Sequence, residues 1–133
     1  MMIFQPEEKP VHCGEVYYIS YKKEMPTDVH CSIGGGRPAL IISNNAIGLH
    51  STIVLVVYIT NKAPTSPYDV WFPGLDGLRS GTFEVSKIVG ISKARIGEYI
   101  TTLPNECMNL IRHKLVEVFD LKNIVSEEEA NND

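Results

Sequence analysis

Residues 34–44 read GGGRPALIISN, and this stretch carries the strongest chemical signal in the chain. Arg37 is a permanent cation whose planar fork of donors matches a phosphate group. Gly34, Gly35 and Gly36 precede it. They allow backbone conformations closed to other residues and let a ligand approach closely. Pro38 fixes the backbone just after the arginine, and residues 39–42 then read as a buried strand. An arginine held at the mouth of a strand, beside a loop of low bulk, suits a site for a phosphodiester. On spacing alone the same arginine could instead brace a loop by pairing with a carboxylate, a contact worth little at the surface.

Other residues could join such a site. His30 lies in the loop before the glycines, and imidazole titrates near neutrality, which suits proton transfer. Among the basic residues Lys62 and Arg79 are the best placed to line a groove. Lys62 closely follows Thr60, and Arg79 sits in a loop before a late strand. Tyr17, Tyr18 and Tyr21 could stack on bases. Strand alternation puts Tyr17 and Tyr21 on one face and Tyr18 on the other. His12-Cys13 and His30-Cys31 repeat one pair of metal-ligating residues at the two ends of one element. Adjacent residues on a strand point to opposite faces, and the close-spaced pairs usual for zinc are absent, so no metal site is assigned. No Walker-type or dinucleotide motif appears, and no cofactor is implied.

The composition bounds the reading. A chain of 133 residues with 44% hydrophobic residues forms one domain with a real core, not a disordered or fibrous protein. The net charge of −4 argues against nucleic-acid binding through a broad basic surface, while leaving room for a small basic site. Glu127, Glu128, Glu129 and Asp133 fall after Ser126, so the body of the chain is closer to neutral. The first ten residues, MMIFQPEEKP, lack the pattern of a secretory signal, and no apolar run reaches the length of a membrane span. Three cysteines make an odd set that does not suggest a disulfide framework. A cytoplasmic protein is expected.

The site must be positioned by short strands. Residues 1–11 read as a flexible arm, and residues 15–21 (EVYYISY) as the first strand. A long polar loop over 22–36 leads to a second strand over 38–43. Residues 44–50 read as a turn or short loop. Residues 52–59 (TIVLVVYI) are the most apolar run and fit a central strand buried on both faces. A loop over 61–67 precedes a short strand over 68–72. Turn-forming pairs then fill residues 73–81, followed by strands over 82–91 and 95–101. Pro104 opens a helix whose apolar stripe is Met108, Ile111, Leu115 and Val118, ending near Leu121. Residues 122–133 read as an acidic, solvated tail. Few helices and five to seven strands predict a mainly β (α+β) fold: a small, mostly antiparallel barrel over residues 12–121, closed by one C-terminal helix.

Four features give the chain a family resemblance. They are Gly14-Glu15-Val16-Tyr17 opening the first strand, Gly35-Gly36-Arg37-Pro38 followed by ALIISN, Ile59-Thr60 ending the central strand, and a late strand followed by the helix. Together they resemble the MazF/PemK (Kid) toxins of type II toxin–antitoxin systems. The resemblance implies an SH3-like barrel that forms a homodimer. It also implies metal-independent, sequence-specific cleavage of single-stranded RNA, through 2′-hydroxyl attack to a 2′,3′-cyclic phosphate. An antitoxin protein would neutralise the toxin, and DNA would be bound only by their complex. By position Arg37 matches the family's catalytic arginine, and Thr60 the threonine that helps hold the scissile phosphate. His30 would assist, and Gly35, Gly36, Lys62 and Arg79 would line the RNA site.

The chain departs from the family pattern at several positions. Ser32 and Ile33 stand where members often carry an acidic residue and a glutamine. Cys31 stands where some use a histidine, and Ser86 where many carry an acid in the late strand. These departures motivate an alternative of another class: a catalytically weakened or inactive barrel that binds nucleic acid or protein.

Overall fold

The computed structural model describes residues 10–20 and 36–125. Six strands form one antiparallel sheet in the order β4-β5-β3-β2-β1-β6. They are β1 Glu15–Ser20, β2 Gly36–Ile41, β3 Ile53–Thr60, β4 Val70–Leu75, β5 Leu78–Ser92 and β6 Ile96–Thr102. Two α-helices, α1 Asn45–His50 and α2 Asn105–Val118, complete the fold with 3₁₀ turns at Lys93–Arg95 and Leu121–Asn123. The sheet curls into a half-barrel. The Asp76-Gly77 turn between β4 and β5 has Gly77 at φ +81°, and a Cβ there would stand 3.2 Å from the Ile100 carbonyl oxygen of β6. Glycine therefore lets the hairpin tip close on the far edge of the sheet.

Alternation along the central strands builds two cores. Leu40, Val57, Ile59, Phe83 and Val85 face one side, where Met108 and Ile111 of α2 cover them. Ala39, Ile41, Val54, Val56 and Ile91 face the other, with Val11, Ile19 and Ile96. β3 is central, as its composition predicts, but its burial on both faces is incomplete. Ile53 and Leu55, on the face of Val57 and Ile59, are 48% and 37% exposed because α2 does not extend over them. Val11, at the end of the expected arm, is buried and donates its N–H to the Gly48 carbonyl.

Several element boundaries correct the sequence reading. Residues 45–50 of the expected turn or short loop form α1. Asn44 caps it, its side chain accepting from the Ile47 N–H at 2.9 Å, and Gly48 lets the helix pack directly on the Val11 backbone. Pro73-Gly74 lies within β4 and Ser80-Gly81 within β5, so only Asp76-Gly77 turns the chain. β4 is an edge strand, which tolerates the missing N–H of Pro73. Helix α2 stops at Val118, not near Leu121, because Asp120 adopts a left-handed conformation at φ 56°. Tyr21 and the tail from Ser126 lie outside the described residues.

Candidate active site

A groove of about 940 Å³ runs along the ends of β2 and β3, under the 61–69 loop and the β4–β5 hairpin. Arg37, Thr60, Gly36, Lys62 and Arg79, which the sequence singles out, all line it. His30 and Gly35 lie outside the described residues. The β2–β3 register explains the meeting of Arg37 and Thr60. Ala39 pairs with Tyr58, and continuing that register sets Arg37 opposite Thr60 on the same face.

Arg37 is held from two sides. Its guanidinium carbon lies 4.7 Å from the centre of the Tyr58 ring, a cation–π contact. Its Nη2 donates to Glu84 Oε1 at 3.1 Å. That single charge-assisted bond leaves other donors of the guanidinium fork for a ligand. Thr60 is prepared in a complementary way. Its hydroxyl oxygen accepts from the Lys62 N–H at 3.3 Å, so its own proton is available to donate outward. The Lys62 carbonyl in turn accepts from the buried Thr82 hydroxyl at 2.7 Å, which pins the loop carrying the lysine.

Glu84 and Asp69 are groove residues that the sequence did not mark. The resemblance put the late-strand acidic position at Ser86. In the structure a carboxylate two residues earlier serves the groove, while the Ser86 hydroxyl donates to Asp69 Oδ1 at 3.5 Å. A bulge begins at this point of β5. Between the pairs Ile59↔Phe83 and Val57↔Ile88, β3 advances by two residues and β5 by five. The surplus chain on β5 re-aims its side chains, as bulges beside sites do. Glu84 itself directly follows Phe83, the last residue in regular register with Ile59; it meets Arg37 at 3.1 Å, and Lys87 Nζ stands 3.1 Å from its Oε2. Burial works to raise the Glu84 carboxyl, but hydrogen bonds from Lys87 and Arg37 outweigh it and hold the group below the usual glutamate range.

The remaining candidates divide. Tyr18 lines the groove, whereas Tyr17 packs edge-on against Tyr99 with ring centres 5.7 Å apart. Burial, and then the hydrogen bond to Glu15, push the Tyr17 phenol well above its ordinary range. His12 sits 3.4 Å from Glu15, and the Cys13 thiol points to the Ile42 carbonyl. Asp69 lines the groove and is only 9% exposed.

A curled sheet on which an arginine, a threonine hydroxyl and a loop lysine line one groove presents the kinds of donor that a phosphate group accepts from. The chain belongs to the PemK-like, MazF-like toxins of type II toxin–antitoxin systems, whose family model matches residues 12–119. It is 32% identical over 92 residues to the Mycobacterium bovis endoribonuclease MazF1, covering 68% of this chain and 87% of that one. An endoribonuclease from a mycobacterial species, solved in complex with its cognate antitoxin, superposes with a TM-score of 0.68 at 27% identity. That match covers 84% of this chain and 96% of the other. The MazE–MazF complex of Deinococcus radiodurans shares the fold, with a TM-score of 0.64 at 21% identity over 83% of this chain and 95% of that chain.

Proposed function

We propose that this chain is an endoribonuclease toxin that cuts single-stranded RNA in the Arg37 groove without a metal. The observation that carries the reading is the juxtaposition of Arg37, Glu84 and Thr60: a cation oriented by a carboxylate, beside a hydroxyl free to donate. In the proposed reaction the 2′-oxygen attacks the adjacent phosphorus, the bond to the 5′-oxygen breaks, and a 2′,3′-cyclic phosphate forms. Glu84, kept ionised by its two cations, accepts the 2′-hydroxyl proton. Arg37 and Thr60 hold the phosphate oxygens as negative charge grows on them. His30 supplies the proton that the departing 5′-oxygen requires. Gly35 and Gly36 give the backbone room beside the phosphate, while Lys62 and Arg79 attract the flanking phosphates.

The mycobacterial endoribonuclease solved in complex with its cognate antitoxin supports an antitoxin partner for this chain, and in this proposal that partner covers the groove. Ile53 and Leu55, exposed beside Gly90, offer apolar area for a homodimer. Binding of DNA by the toxin–antitoxin complex and residence in the cytoplasm complete the proposal. No helix among the described residues is long and apolar enough to cross a membrane.

The test is cleavage of total RNA in a chelating buffer, mapped by primer extension, with wild type and Arg37→Ala side by side. Losing one such donor lowers the rate by roughly 10²–10³. Equal cleavage by both proteins would remove Arg37 from the mechanism. The Arg37–Glu84 ion pair is also what a non-catalytic barrel would use to brace its loop. Harmless induced expression in a bacterial host, with RNA left intact, favours that second reading.

A further inference from the structure

We infer that Asp69 is a specificity-determining residue, whose carboxylate selects a base with an exocyclic amino group and rejects uracil beside the cleaved linkage. The inference rests on the nuclease reading above. Asp69 ends the 61–69 loop and faces the groove although nine-tenths buried. Continuing the β4–β5 register from Val70↔Phe83 sets it beside Glu84, hence next to the phosphate clamp.

The hydrogen bonds of Asp69 show what it still offers. Oδ2 accepts from the Thr65 N–H at 3.4 Å and the Thr65 hydroxyl at 3.5 Å, and Oδ1 accepts from the Ser86 hydroxyl at 3.5 Å. All three are long. Two carboxylate oxygens have about four acceptor sites between them, so at least one on Oδ1 is open. Among the described residues no lysine or arginine pairs with Asp69, whereas Glu84 has two cations. An acceptor-only group in a groove that holds RNA repels the phosphates and must meet a donor instead. Adenine, cytosine and guanine each carry an amino group. Uracil offers two carbonyls flanking one N–H, and a carboxylate aimed at a carbonyl is repelled. Guanine, with two adjacent donors, is the best match.

The test uses the purified full chain in a chelating buffer with a randomised RNA pool, and the cut ends are sequenced. Wild type should disfavour uracil at one position beside the cut by roughly 10- to 100-fold, the value of one charge-assisted hydrogen bond. Asp69→Asn keeps the shape but adds N–H donors that can donate to a uracil carbonyl, so this bias should collapse while preferences at other positions persist. Wild-type cleavage indifferent to uracil at every position overturns the inference without any variant. So does an Asp69→Asn protein that slows equally on all sequences, because that is what a loop brace or a ribose contact would give. Total inactivity of the wild type on RNA would instead overturn the nuclease reading, and this inference with it.

Discussion

Replacing Glu84 by glutamine separates a proton acceptor from a structural anchor. Glu84 is 16% exposed at its side chain, and Arg37 and Lys87, both 3.1 Å away, are 36% and 63% exposed. Both cations can turn to water, so losing the anion leaves no buried charge behind. The stability loss should be small, on the order of 1 kcal/mol. Activity should fall much further, by about 10²–10⁴ for loss of a general base. The pH dependence follows from the direction of the shift. The folded carboxyl lies below its unfolded value, so its contribution to stability is present above about pH 4.3 and is lost as pH falls through the lower folded pKa. Glu84 is therefore already ionised across the neutral range. An acidic limb within the neutral range would belong to another group, whereas His30, needed protonated as the acid, would give a limb on the alkaline side. The assay is kcat/KM on a fluorescent RNA oligonucleotide from acid to neutral pH, paired with thermal melting. A Glu84→Gln protein that melts lower but cleaves within about threefold of wild type contradicts the proton-acceptor role.

Three further outcomes follow from the packing. Thr60→Val removes the outward donor and should lower the rate by roughly tenfold or more, with Thr60→Ser restoring most of it; an unchanged Thr60→Val rate removes the hydroxyl from the site. Gly81→Ala would place a Cβ 2.8 Å from the Thr60 carbonyl oxygen. The end of β3 must then move, and cleavage should fall more than the melting temperature does. Gly48→Ala would set a Cβ 1.9 Å from the Val11 carbonyl oxygen. It should destabilise by about 1–3 kcal/mol in denaturant melts by prising α1 from Val11, with little effect on kcat.

Legibility in the sequence depended on how far each signal had to reach along the chain. Arg37-Pro38 at the start of β2 stands out as a short local pattern, whereas Thr60 at the end of β3 is singled out only through the family resemblance. The turn at Asp76-Gly77 was visible, but two neighbouring glycine pairs of the same appearance proved to lie inside strands. Helix α1 was hidden because Asn44-Asn45 reads as a turn until the Asn44 side chain is seen capping Ile47. Glu84 carries no local mark: alternation puts residues 84 and 86 on one face, and the family resemblance pointed to 86.

By itself the sequence determined the β-rich class, the apolar central strand, the amphipathic α2 and the arginine at the start of β2. These follow from side-chain periodicity and local backbone preference, which act over a few neighbouring residues. Only the tertiary structure decided that Glu84 clamps Arg37, that Asp69 faces the same groove, and that the hairpin tip at Gly77 abuts β6. Those contacts join residues far apart in the chain, through a strand register set by the packing of the whole sheet.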